Sequence, residues 1–102
     1  MSITLTGKQE RHLRALAHGL DPVVIVGKEG ASEGVLTATD QALVDHELIK
    51  VRLPDVERDE RAQIAAAIAE GTKSALAGTI GRIAIFYRRH PSQPKIDLPK
   101  KK

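Results

Sequence analysis

The sequence predicts an α/β fold: a two-layer sandwich of element order αβαβαββ, built on a four-stranded mixed sheet with helices mainly on one face. Three observations predict it. Apolar residues recur at helical spacing in three separate segments; one wholly β-branched run and one alternating run lie between them; and a glycine-centred hairpin pattern closes the set.

Thr6 and Gln9 have the spacing of a capping box, and Leu13, Leu16, Ala17 and Leu20 follow at i, i+3, i+4 and i+7. A first helix over residues 7 to 18 is predicted, with Gly19 as its stop. Lys8, Arg11, Arg14 and His18 then project away from the apolar stripe. Pro22 opens the run Val23, Val24, Ile25 and Val26, too short for a helix and β-branched throughout, as in a buried strand. Gly27-Lys28-Glu29-Gly30 ends it, and Ser32 can cap a second helix over 33 to 46 carrying Val35, Thr39, Ala42, Leu43 and His46.

From Leu48 to Leu53 the pattern alternates, with Ile49, Val51 and Leu53 on one face and Lys50 and Arg52 on the other. That alternation predicts a sheet face open to water. Asp55, Glu57, Asp59 and Glu60 suit the N-terminal dipole of a third helix carrying Ile64, Ala65, Ile68 and Ala69 and closed by Gly71. A hairpin over 75 to 88 turns near Gly81 and Arg82, and right-handed crossovers lay the helices on the sheet. Residues 1–90 form the expected domain, and 91–102 a basic tail, extended or disordered.

Composition removes several functions. With no cysteine there is no disulfide, thiolate nucleophile or cysteine-based zinc site. His12, His18, His46 and His90 have no metal-ligand spacing, and Asp45-His46-Glu47 reads as a helix end in which neighbouring side chains splay apart. No catalytic residue, metal, cofactor or small-molecule substrate is therefore expected. The N-terminus shows no basic leader before an apolar run, and no stretch approaches the ~20 apolar residues of a membrane span, so the expected address is cytoplasmic.

The net charge of +3 looks like nucleic-acid binding, but its distribution matters more. Arg88, Arg89, Lys95 and Lys100 to Lys102 against Asp97 leave the last fifteen residues at +5 and the first 87 at −2. Any RNA site must come from clustering. The loop Gly27, Lys28, Glu29 and Gly30 has G-x-x-G spacing, which lets backbone approach a phosphate; plain turn chemistry gives the same pattern. Lys8, Arg11 and Arg14 on the first helix, Lys50 and Arg52 on the open sheet face, and Arg82 and Arg88 bounding the last strand complete the candidate set, with a solvated charged surface as the competing reading. Asp substitution at Gly30 is expected to keep the fold and weaken binding. Phe86 and Tyr87 are adjacent and so face opposite ways; core filling is the favoured role for them, and recognition should rely on shape and backbone.

Several ordered segments resemble one family. LTGKQERHLRALAH at 5 to 18, PVVIVGKEG at 22 to 30, EGVL at 33 to 36, HELIKV at 46 to 51, GRIAIFYR at 81 to 88 and IDLP at 96 to 99 are similar to the CRM domain (chloroplast RNA splicing and ribosome maturation), in its stand-alone bacterial YhbY-type form. The resemblance implies a fold like the C-terminal domain of translation initiation factor three and binding to ribosomal RNA of the large-subunit precursor, assisting ribosome assembly; a monomer is the expected state. It maps the family's glycine loop onto Gly27 to Gly30, where Glu29 is an acidic departure, and its basic surface onto the first helix. Two alternatives stay open: a protein-interaction module docking on a ribosomal protein or assembly GTPase, and an RNA chaperone of the intron-splicing type.

Overall fold

The computed structural model describes residues 5–99, so the terminal lysine run lies outside the described residues. The elements follow the predicted order: α1 Gly7–Ala17, β1 Pro22–Ile25, α2 Glu33–His46, β2 Leu48–Arg52, α3 Arg58–Thr72, β3 Ala75–Ile80 and β4 Ile83–Tyr87. The sheet order is β1-β2-β4-β3, with β1 parallel to β2 and the other pairs antiparallel. The ends of β1 and β2, the start of β4 and the end of β3 therefore meet at one end of the sheet.

Local chemistry explains the boundaries. The Thr6 hydroxyl accepts from Gln9 N and the Gln9 side chain accepts from Thr6 N, both at 3.1 Å, which starts α1. Ser32 Oγ accepts from Val35 N and starts α2. Gly81, at φ +58, makes the β3–β4 turn. Gly71 does not close α3, as the sequence suggested: the helix runs on to Thr72, and Lys73 takes the left-handed cap. A Cβ at Gly71 would stand 2.8 Å from a Leu36 methyl, so this glycine lets α3 lie close against α2.

Two cores flank the sheet. α2 and α3 cover one face, where Leu43, Ile49, Val51, Leu53, Ile68 and Phe86 are buried together. α1 lies on the other, packing Leu13 and Ala17 against Leu48, Ala77, Ile85 and Tyr87. Most of the helical cover is thus on one face as predicted, but the expectation that the opposite face is open is corrected. α1 and the chain's last described residues cover Leu48, Ala77, Ile85 and Tyr87 on that face, leaving Arg52 and the β1 residues Val23 and Ile25 exposed.

Two further expectations also change. The run Val23 to Val26 is only half buried: as an edge strand β1 buries Val24, with Val26 buried just past its end, and leaves Val23 50% and Ile25 72% exposed. The α1 stripe is narrower than its spacing suggested, with Leu16 and Leu20 largely exposed.

After a bend at Pro91-Ser92, the segment through residue 99 reaches the α1 face, with Ile96 and Leu98 packed on its core. Pro99 O accepts a 2.9 Å hydrogen bond from Gln9 Nε2. Glu47 anchors this segment. Its backbone sits at φ +64 just after α2, its side chain is 1% exposed, and its carboxyl oxygens accept from the main-chain N–H of His90, Lys95 and Ile96.

Tyr87 lies beside this anchor, and burial, reinforced by Glu47 and opposed by Arg89, pushes its hydroxyl pKa above the ordinary 10.0. A group whose folded pKa is raised contributes stability that is intact below pH 10 and is lost as pH climbs through the higher folded value. As this is the protein's single tyrosine and it has no tryptophan, ultraviolet phenolate titration reads it directly. A midpoint above 10 is expected in the native protein, falling to the ordinary value in denaturant.

Candidate nucleic-acid interface

The hydrogen bond from Val26 N to Arg52 O, 2.8 Å, ties the base of the glycine loop to the end of β2. The loop itself is a tight turn in which Gly30 N donates to Gly27 O at 3.0 Å and Ser32 N donates to Gly30 O at 2.8 Å. These donors are used within the protein. Gly27, Lys28 and Glu29 are exposed, whereas Gly30 is buried at φ +71 with Ile64 beneath it. The expectation that Asp at Gly30 would spare the fold is therefore corrected: an L side chain there is strained.

Arg52 follows Lys50 on the α1 face of β2 and pairs in register with Ile83, next to the Gly81-Arg82 turn. Lys50 Nζ reaches the carbonyl of His18 at 3.4 Å, placing a cation at the C-terminal end of α1. Arg14 extends over β3: its Nη1 donates to Ala77 O at 2.9 Å, and a Cβ at Gly78 would stand 2.8 Å from Arg14 Cδ. The β3–β4 register shifts between Leu76 and Gly78, the stretch in which Ala77 O accepts this arginine. Arg82 Nε donates to Leu53 O at 3.3 Å. Lys8 and Arg11 are exposed on α1.

The fold therefore gathers Lys28, Arg52 and Arg82 at one end of the sheet, with Lys50 and Arg14 extending the cationic surface along the α1 face and Arg11 and Lys8 on the helix above it. Glu29 lies among them, and a hollow below the loop is lined by Glu60 as well as Lys28 and Glu29. Arg88 is not part of this gathering. It follows the opposite end of β4, pairs with Asp40 at 2.6 Å and donates to Thr72 O at 2.7 Å, tying that strand to α2 and α3.

Sequence reasoning missed two arginines. Arg58 and Arg61 line a cleft at the same end of the sheet, on its α3 side, but in the sequence they lie inside an acidic stretch that reads as dipole chemistry. It also missed Glu47, whose burial depends on a backbone conformation that no spacing reveals. Phe86 and Tyr87 are both buried, on opposite faces, so neither presents a ring for base stacking. Among the described residues no group of three or more His, Asp or Glu could hold a metal ion, and no helix is long and apolar enough to cross a membrane.

An αβαβαββ module with a cationic sheet end is the class these features define. The CRS1 / YhbY (CRM) domain model matches residues 5–88, and the chain belongs to that family. A Haemophilus influenzae relative named as an RNA-binding protein is 46% identical over 99 residues, covering 96% of this chain and 98% of its own. YqeI of Bacillus subtilis, whose name marks it as an RNA-binding candidate, is 37% identical, over 93% and 99% of the two chains. The solution structure of a Staphylococcus aureus protein described as a candidate RNA binder superposes with a TM-score of 0.84 at 38% identity, covering 94% of this chain and 100% of that one.

Proposed function

We propose that this protein binds structured ribosomal RNA of the large-subunit precursor through its phosphate backbone and assists ribosome assembly, as a non-catalytic, cytoplasmic monomer. The observation that carries the reading is the meeting of Arg14, Lys28, Lys50, Arg52 and Arg82, from four separate stretches of sequence, along one end and one face of the sheet. Names carried by the relatives support RNA as the partner. With both aromatic rings buried, affinity must come from charge and shape, and sequence preference should be modest.

If about five phosphates are neutralised, log affinity should fall with log salt at a slope of about −3.5 to −4.5. Filter binding to ribosomal RNA fragments across salt measures it, and a flat response would remove the electrostatic mechanism.

A second reading, docking on a ribosomal protein or assembly GTPase, draws on an open apolar groove of about 430 Å³ between Leu16, Leu20, Val23, Leu48 and Ile96. Co-sedimentation with ribosomal particles separates the two, since RNase treatment releases the protein only under the RNA reading.

A further inference from the structure

We propose that the arginine cleft on the α3 side of the sheet end is a second seat for the RNA backbone, so that the bound strand passes over the β3–β4 turn and contacts both faces of the sheet. The inference rests on the RNA reading and adds a site to it. The cleft has a volume of about 520 Å³ and is lined by Leu53, Arg58, Arg61, Leu76, Thr79 and Gly81, with no carboxylate in its wall.

Two arginines are held in place by the main chain. Arg61 Nη1 donates to Val56 O at 2.7 Å, and Arg82 Nε donates to Leu53 O at 3.3 Å from the rim. Each of these bonds uses one donor of a five-donor guanidinium, leaving the rest of the fork for an incoming anion. Among the described residues neither they nor Arg58 is in an ion pair. Arginines that are fixed, concave and unpaired suit bidentate capture of a phosphodiester.

Asp55, Glu57, Asp59 and Glu60 surround Arg58 in sequence, but none of them lines the cleft. Helical spacing turns Glu60 to the other side of α3, where it lines the hollow under the glycine loop together with Lys28, Glu29 and Gln63. That hollow has two carboxylates to one lysine, whereas the cleft has arginines alone. Of the two concavities at this end, the cleft is the better match for a polyanion.

The test compares four full-length proteins on one structured ribosomal RNA fragment: wild type, Arg58→Gln/Arg61→Gln, Arg58→Gln alone, and Arg58→Lys/Arg61→Lys. The single variant guards against misfolding, because Arg58 is exposed and the Val56 contact is left intact. The double variant should bind about tenfold more weakly and lose about 1.4 to 1.8 from the salt slope, as expected for two lost phosphate contacts, with the single variant showing about half the slope change. Arg58→Lys/Arg61→Lys should recover only part of the affinity if the fork geometry matters. Wild-type affinity and slope in folded variants would overturn the second seat while leaving the RNA reading in place. Failure of the wild type to bind would instead overturn that reading.

Discussion

Truncating Glu47 to alanine is expected to lower the unfolding free energy by about 3 to 5 kcal/mol, because three main-chain N–H groups lose their buried carboxylate acceptor. The loss has two parts. The N–H groups of His90, Lys95 and Ile96 lose their acceptor, each such bond to a charged group contributing about 1.5 to 3 kcal/mol in isolation. Instead of staying buried and unpaired, the segment would peel into water, exposing Ile96 and Leu98 and opening the core around Leu13 and Tyr87. Peeling caps the total cost near the segment's own docking energy.

Glutamine keeps one carbonyl oxygen able to accept two of the three N–H groups, so Glu47→Gln should lose about half as much. Urea unfolding followed by circular dichroism gives the energies, and limited proteolysis between Arg89 and Lys95 reports the peeling directly. An alanine variant with wild-type midpoint and protease resistance would show that the anchor is dispensable.

The second large effect is on binding. Lys28→Glu/Arg52→Glu should weaken RNA affinity by about 100-fold at moderate salt while leaving the melting temperature nearly unchanged. Both side chains are exposed, and Arg52 occupies the middle of the cationic surface, between Lys50 and the base of the loop. Reversal removes two phosphate contacts and adds repulsion at the same points, so the deficit should shrink as salt rises. A deficit that persists unchanged at high salt would point to a loss of shape instead of charge.

Much of the fold could be read from the residues because each element carries its own local signal. The capping box at Thr6, the cap at Ser32, the alternation of β2 and the glycine of the last turn are all present in the structure. What could not be read depends on neighbours. A β-branched run looks the same at an edge as at a centre, and only the order β1-β2-β4-β3 places β1 outermost.

The site shows the same division. Arg52 and Lys50 could be assigned to one face by alternation, whereas Arg14 and Gly78, 64 positions apart, meet only through tertiary packing. Arg88 has the same composition cue as Arg82 and a different role, because Asp40 lies opposite one and not the other. Glu47 offered no cue, since its function is to satisfy donors from a segment more than forty residues later.

The Glu47 anchor and the Gln9–Pro99 bond also set an order of events during synthesis. Leu13 and Ala17 are made early, but the cover of their core arrives with Ile96 and Leu98, and the bond that completes it spans 90 positions. Contacts that distant close loops late and slow folding. While it is being translated, the nascent polypeptide must leave one side of its sheet unfinished until Ile96, Leu98 and Pro99 have been made.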